Sequence, residues 1–166
     1  YNHGLDPLVD DSTDDLDGDG LSNIEEFEIL TEPDNVDTDA DGMDDKWETD
    51  YGLDPLVVDS HEDPDGDTLS NINEYNLGTS PISSDTDQDS MPDNYEIEMG
   101  LNPLVDDSSS DLDSDGVSNL DEYLRGTNPV IYDFPIVLGL GVAAVVASII
   151  VGGYIYYQKY WVHLGG

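Results

Sequence analysis

The chain repeats a pattern of acidic residues whose spacing suits a divalent metal ion. Five twelve-residue loops carry Asp at positions 1, 3 and 5, Asn or Asp at position 9, and Glu at position 12. Alternate carboxylates in a tight turn converge on one point, and a Glu on the following helix adds two more oxygens. Hard oxygen ligands in this number favour Ca²⁺ over Mg²⁺, which requires a tighter octahedron. The loops therefore predict about five or more bound Ca²⁺ ions.

The loops are of two kinds that alternate along the chain. Type A loops have Asn at position 9, type B loops have Asp there, and position 7 offers its backbone carbonyl in both. In type A the predicted metal ligands are Asp15, Asp17, Asp19, Leu21, Asn23 and Glu26; Asp63, Asp65, Asp67, Leu69, Asn71 and Glu74; and Asp111, Asp113, Asp115, Val117, Asn119 and Glu122. In type B they are Asp37, Asp39, Asp41, Met43, Asp45 and Glu48, and Asp85, Asp87, Asp89, Met91, Asp93 and Glu96.

Position 6 of such a loop normally holds Gly, because the backbone there takes a positive φ. Thr68 and Ser90 stand at this position in two of the loops. If the same backbone conformation is kept, strain of about 1–2 kcal/mol is expected at each residue. These two loops are predicted to bind their ions more weakly than the others.

A strict period of 48 residues relates the loops, since the turn at 4–8 returns at 52–56 and at 100–104. Short helices are predicted after the loops, for example over Asn71–Leu77 and Asn119–Arg125, where Gly-Thr-x-Pro turns follow. Apolar residues spaced by three predict one buried stripe for each unit, and the aromatic residues are expected to pack between neighbouring units. The stripes are Leu21, Ile24 and Phe27; Leu69, Ile72 and Tyr75; and Val117, Leu120 and Tyr123, while Trp47 and Tyr95 are the equivalent aromatics of the type B units. So little apolar surface predicts that folding depends on the bound metal.

Composition points the same way, because 40 Asp and Glu stand against 3 Lys and Arg, a net charge of −37 over 166 residues. Such a chain repels itself unless cations bind, and it lacks the basic surface of a nucleic-acid binder. A disordered, solvating tail is the alternative interpretation of this composition. It does not explain why Glu recurs at position 12 of every loop. Acids outside the ligand pattern, such as Asp59 and Asp107, leave open the possibility of ions shared between loops.

Other kinds of chemistry find little support in the sequence. There is no Cys, so oxygen ligands are the means left for cross-linking the chain through metal. His3, His61 and His163 are far apart in the sequence, and we expect them to be solvated rather than to bind zinc. No nucleophile with a nearby base and no Gly-rich phosphate loop is found, so we predict neither catalytic residues nor an organic cofactor.

The composition changes after residue 133. Residues 136–157 are 22 positions without a charge, enough for about 33 Å of helix, which predicts a single transmembrane helix within residues 133–158. Lys159 and a cluster of Tyr and Trp at its far end place residues 159–166 in the cytoplasm and the repeats outside the cell. Small residues at four-residue intervals leave open a contact with another transmembrane helix.

Tandem Asp-x-Asp-x-Asp-Gly loops of two kinds, linked by Gly-Leu-Asp-Pro and Gly-Thr-x-Pro turns, resemble the thrombospondin type 3 repeats of bacterial and archaeal surface proteins. The resemblance spans roughly residues 4–129. It implies chain wrapped around Ca²⁺ and a role as a spacer between other domains and an anchor. Single loops also look like the EF-hand-like halves of dockerins. Paired EF-hands are disfavoured because position 8 is never aliphatic, and the lack of Cys departs from the disulfide-containing animal repeats.

The sequence as a whole predicts a small calcium-stabilised repeat array of loops and short helices with little or no sheet, followed by one transmembrane α-helix. Residues 1–132 form the array, 133–158 the span and 159–166 a short tail. The predicted function is an extracellular calcium-binding stalk that anchors a cell-surface protein in the membrane. A calcium-dependent adhesion or docking module and a single-pass accessory subunit of a membrane complex remain the alternatives. The predicted partners are calcium, the lipid bilayer and either another transmembrane helix or a surface protein, with no nucleic acid.

Overall fold

Five short helices alternate with extended acidic loops in this protein. The structure is a computed structural model that describes residue 3, residue 5 and residues 8–133, which belong to one compact unit ending at Asp133. The helices are α1 (Asn23–Ile29), α2 (Asp45–Tyr51), α3 (Asn71–Leu77), α4 (Asp93–Met99) and α5 (Asn119–Arg125). No strand occurs among the described residues. The predicted array of loops and short helices is confirmed for this part of the chain.

Almost all of the predicted membrane-spanning end of the protein lies outside the described residues. Apart from Asp133, the predicted span at 133–158 and the predicted tail at 159–166 lie outside the described residues. Within the part that is described, no helix is both long and apolar enough to cross a membrane. The span and its orientation therefore stay predictions from the sequence.

Each helix begins at position 9 of a loop, and a backbone hydrogen bond closes the loop onto it. The N–H of Asn23 donates to the carbonyl of Asp14 at 2.8 Å, and the N–H of Asp45 donates to that of Val36 at 2.9 Å. Four helices end at a Gly in the left-handed region, whereas α1 ends at Leu30 with a φ of 72°. Helices of seven residues are too short to be stable alone, so their stability must come from the loops that hold them.

The interior of the array is mainly polar. Leu21, Met43 and Met91 are the buried side chains of its described large apolar residues, whereas fifteen polar or charged residues are buried. The predicted buried stripe is wrong for α1, where Ile24 is 43% and Phe27 is 72% exposed. Each helix turns positions 9 and 12 of its loop inward, so its inner face is occupied by polar side chains. The corresponding apolar residues in α3 and α5 are half-buried.

Aromatic residues join neighbouring units, as the sequence predicts. The ring of Trp47 in α2 lies 5.2 Å from that of Tyr75 in α3 at an interplanar angle of 82°. The ring of Tyr95 in α4 lies 4.6 Å from that of Tyr123 in α5. Each pair therefore packs a type B helix against the type A helix that follows it, at a distance typical of favourable ring contacts.

Candidate metal centres

The Glu at position 12 is completely buried in every loop. The five residues are Glu26, Glu48, Glu74, Glu96 and Glu122, each with 0% exposure. Neither carboxylate oxygen of the first four accepts a hydrogen bond from a described residue, and neither does Oε2 of Glu122. A buried carboxylate without a partner is very costly unless it is protonated or binds a cation. These five side chains therefore mark places where a positive charge or a proton is required.

The Asp at position 3 presents a second unpartnered oxygen in each loop. Its Oδ1 accepts a hydrogen bond from the N–H of position 5 at 3.0–3.2 Å. Its Oδ2 is buried and has no partner in Asp17, Asp39, Asp65, Asp87 and Asp113. Carboxylate oxygens of positions 1, 3 and 5 come within 4.8 Å of one another in the loops that begin at Asp15, Asp37 and Asp63. The predicted convergence of alternate carboxylates is thus present there.

The Asp at position 1 shapes the loop through the backbone. In the first loop Asp15 accepts hydrogen bonds from the N–H groups of Gly18, at 2.7 Å, and Gly20, at 3.2 Å. Positions 4 and 6 must both take a positive φ for this arrangement. Position 6 keeps that conformation even at Thr68 and Ser90, with φ of 85° and 81°. The premise of the predicted strain is therefore confirmed, while weaker binding there stays a prediction.

Position 4 imposes the same demand, which the twelve-residue ligand pattern does not include. Ala40, Gln88 and Ser114 have φ of 63°, 66° and 66° at this position. Such values cost an ordinary residue about 1–2 kcal/mol. The signal was present in the sequence, because the other two loops have Gly18 and Gly66 at position 4.

Position 9 differs between the two types of loop. In type A, the Nδ2 group of Asn71 donates to the carbonyl of Asp59 at 3.1 Å, and its Oδ1 is buried without a partner, as is that of Asn23. In type B, both carboxylate oxygens of Asp45 are engaged by Thr38, which donates its N–H at 2.8 Å and its hydroxyl at 2.7 Å. Thr86 holds Asp93 in the same way. Each of these carboxylate oxygens keeps one further lone pair for a ligand contact.

Position 5 has two tasks. Its Oδ1 accepts the N–H of position 7, as in Asp19 and Leu21 at 2.7 Å, and this fixes the peptide next to the predicted carbonyl ligand. The same bond recurs at Met43, Leu69, Met91 and Val117. The other oxygen of the position-5 carboxylate, Oδ2, accepts a hydrogen bond from a backbone N–H of the next unit. The position-5 carboxylate therefore belongs to its own loop and to the connection between units.

These connections recur along the whole array. Oδ2 of the type A residues Asp19 and Asp67 accepts the N–H of the residue 27 positions later, at 3.1 and 3.2 Å. Oδ2 of the type B residues Asp41 and Asp89 accepts the N–H of the residue 18 positions later, at 3.0 and 3.2 Å. In the last loop, Oδ2 of Asp115 accepts the N–H of Asp133 at 3.0 Å. The register of each unit is thus tied to the carboxylate of the loop before it.

A carboxylate from the following unit approaches the first type B loop. Ligand atoms of Asp41, Glu48 and Asp59 lie within 4.8 Å of one another. In the second type B loop, the charge of Asp107 helps to raise the pKa of Glu96. Asp59 and Asp107, which are outside the twelve-residue pattern, therefore belong to the surroundings of the type B sites.

The proton affinity of these sites is high. Burial, followed by the charges of neighbouring Asp carboxylates, raises the pKa of Glu48, Glu74 and Glu96 to about 8 and that of Glu26 to about 7. The pKa of Glu122 is also raised by burial and by the charge of Asp113. A divalent cation would remove both causes, because it compensates for the lost solvation and for the mutual repulsion.

The residues fit a hard divalent cation. Four buried oxygens without a hydrogen-bond partner belong to the first loop, on Asp17, Asn23 and Glu26, and four belong to the loop starting at Asp63. Each type B loop has three, and the last loop has two. Oxygens of carboxylate, amide and carbonyl groups are the ligands that Ca²⁺ takes, in sets of six to eight. The carboxylates of positions 1, 3 and 5 come together in the loops that begin at Asp15, Asp37 and Asp63, and position 9 of type B is held by a neighbouring Thr. The assignment of all thirty residues as metal ligands stays a prediction.

One histidine behaves differently from the expectation of solvated side chains. Nδ1 of His3 lies 3.0 Å from Oδ1 of Asp34, close to Glu32. His163 lies outside the described residues.

Comparison of the chain with protein-family models, with curated proteins and with solved structures gave no match.

Proposed function

We propose that this protein is a calcium-binding extracellular stalk, stiffened by ions bound in its five loops and held at the membrane by its C-terminal segment. The observation that carries the proposal is the set of five fully buried position-12 Glu side chains. Nine of their ten carboxylate oxygens lack a hydrogen-bond partner among the described residues, and so does the buried Oδ2 of the Asp at position 3 in each loop. Such a buried carboxylate must either be protonated or bind a cation, and oxygen ligands alone select a hard cation.

The connections between units support a spacer. Each position-5 Asp joins its loop to the next unit through a backbone N–H, and aromatic pairs pack α2 on α3 and α4 on α5. Ions that order the loops therefore also order the joints between them. A linear array whose units contact their neighbours in this way transmits order from one unit to the next.

The location of the stalk follows from affinity and from the sequence. Extracellular calcium modules bind at about 10⁻⁴–10⁻³ M, and cytosolic Ca²⁺ would leave such sites unfilled. The apolar segment at 136–157 and Lys159 beyond it favour a single span with the array outside the cell. On this proposal the stalk is not an enzyme.

Amide hydrogen exchange of the full chain in detergent micelles tests the proposal. We expect protection in α1 to α5 to rise as Ca²⁺ is added to the millimolar range, and to be lost again with chelator. Mg²⁺ at the same concentration is the control and should protect far less. If exchange in the five helices does not respond to Ca²⁺, the carboxylates are protonated or solvated and the stalk proposal fails.

A second candidate function, calcium-dependent docking, is favoured by one observation. The turns that follow the type B helices leave apolar side chains exposed at equivalent positions, Leu56 and Val57 in one period and Leu104 and Val105 in the next. Exposed apolar side chains in a row are typical of contact surfaces. Pull-down from surface extracts with and without Ca²⁺ tests this candidate. The double variant Val57→Ser, Val105→Ser should no longer capture a partner that the parent chain captures.

A further inference from the structure

A Thr hydroxyl group lies at the end of every type A helix, and in two of the three cases the residue is buried. Thr31, Thr79 and Thr127 each follow the left-handed residue that ends α1, α3 and α5, five positions after the position-12 Glu. Their N–H groups donate to the main-chain carbonyls of Glu26, Glu74 and Glu122 at 3.1, 3.2 and 3.0 Å. The backbone of these residues thus ends the helix, and their side chains are left for another role.

The first two of these side chains are buried, and the third is half-buried. Thr79 is fully buried and Thr31 is 7% exposed, and the hydroxyl of neither has a hydrogen-bond partner among the described residues. In the third case the hydroxyl of Thr127 lies 3.5 Å from Oε1 of Glu122 and 3.5 Å from the main-chain carbonyl oxygen of the same residue. A buried hydroxyl without a partner destabilises a fold, so its presence needs a reason.

The ending of the helix does not supply that reason. Type B helices end with the same backbone bond, in which the N–H groups of Leu53 and Leu101 donate to Glu48 and Glu96 at 2.9 and 2.8 Å. Leu occupies there the place that Thr occupies in type A. The hydroxyl is therefore a feature of the type A sites and not of the turn.

We propose that these Thr residues are positioning residues for the type A metal sites, each donating its hydroxyl to the carboxylate of the position-12 Glu once that group is ionised on a divalent cation. The inference rests on the proposed function and deepens it. A hydrogen bond from outside the ligand shell fixes the orientation of a ligating carboxylate. Type A sites have neutral Asn at position 9, so the orientation of their single Glu matters more than in type B, where Asp45 and Asp59 add charge nearby.

The test uses Thr79→Val in the full chain in detergent micelles, with the exchange of α3 amides followed as Ca²⁺ is added. Val keeps the shape of Thr and removes the hydroxyl. We expect the Ca²⁺ concentration at half-protection of α3 to rise about tenfold. In excess chelator, α3 protection should be equal to or greater than that of the parent, because an unpartnered buried hydroxyl has gone. Thr79→Ser, which keeps the hydroxyl, should restore the parent midpoint, and α1 in the same samples is the internal control.

Two results would overturn the inference and leave the stalk proposal standing. The first is an unchanged α3 midpoint in Thr79→Val while all segments still respond to Ca²⁺. The second is a loss of protection in chelator that Ser does not restore, which would assign the residue to packing. If Thr79→Val does not fold, Thr31→Val with α1 as the reporter gives the same test. A parent chain that does not respond to Ca²⁺ removes both proposals together.

Discussion

Type A and type B loops have acids at the same positions 1, 3, 5 and 12, yet they complete their surroundings differently. Type A adds the neutral Asn at position 9 and a Thr at the end of the helix, which is buried in the first two type A units. Type B adds Asp at position 9, which Thr38 or Thr86 holds by two hydrogen bonds. The first type B loop also draws on Asp59 from the next unit.

The same pattern of acidic positions therefore occurs with two different arrangements of charge around it. A type A site has fewer charges and depends on the orientation of its Glu. A type B site has one more carboxylate, at position 9, and the first of them also has Asp59 of the next unit nearby, so its acids repel one another more strongly without a cation and attract a cation more strongly. Alternation of the two makes each type B site a shared property of two neighbouring units.

Removal of the position-12 carboxylate should have the largest effect. Glu74→Gln is expected to weaken the ion in its type A loop by about a hundredfold or more, since losing one partner of a buried charge pair costs about 3–5 kcal/mol. Glu96→Gln should cost less, because Asp107 remains beside the type B site. Site-resolved hydrogen exchange against Ca²⁺ measures both, with the exposed Glu98→Gln as control. Equal losses would show that the neighbouring acid contributes nothing.

Acid should release the ions, and the order of release tests whether loop type decides proton affinity. Since the pKa of Glu48 and Glu74 is raised to about 8 and that of Glu26 to about 7, affinity should fall about tenfold per pH unit below these values. The loop of Glu26 should then keep its ion to the lowest pH of the three. Calorimetry in buffers of different ionisation enthalpy should detect about one proton released per site at pH 6 and none at pH 9.

The chelated chain should respond to pH in the opposite sense. A raised pKa means that the protonated Glu stabilises the ion-free fold, fully below the ordinary value of 4.5, and that this stability is lost as pH rises through about 7 to 8. Circular dichroism in excess chelator should therefore show more helix at pH 4.5 than at pH 9. The reverse order would contradict the burial of these groups.

Asp59→Asn should weaken ion binding in a type B loop and leave ion binding in a type A loop unchanged. We expect a weaker ion in the loop 37–48 by about three- to tenfold, because one carboxylate leaves the cluster with Asp41 and Glu48. The loop 15–26 should not change. The exposed Glu28→Gln removes the same charge elsewhere and is the control. A similar loss in both loops would assign the effect to net charge alone.

Relief of backbone strain should give the smallest change. Ser90→Gly and Thr68→Gly place Gly at φ of 81° and 85° and should each stabilise the calcium-bound form by about 1 kcal/mol. The reciprocal variant Gly20→Ser, at φ of 103°, should destabilise it by a similar amount. Thermal unfolding in saturating Ca²⁺ measures these differences. No gain in either Gly variant would show that the loops relax around the substituted residue.

Local spacing explains which features of the molecule were predictable. The helices begin where position 9 closes the loop, and the ligands recur because alternate residues of a turn face one point, so both can be derived from the 48-residue period. The outward position of Phe27 was not predictable, since it depends on polar residues taking the inner face of α1. The bonds of Asp45 to Thr38 and of Asp41 to Asp59 depend on a choice between partners at different distances in the chain, which spacing alone does not decide.

If the protein is a stalk as proposed, the carboxylate bonds between units also set how its length can change. Type A reaches 27 residues forward and type B reaches 18 in the interior of the array. A gene duplication or deletion of 48 residues brings every donor back opposite its acceptor, whereas loss of a single loop places two loops of one type in succession and misaligns the joint. On the stalk proposal, a change of length by one A–B pair therefore preserves the interior bonds between units.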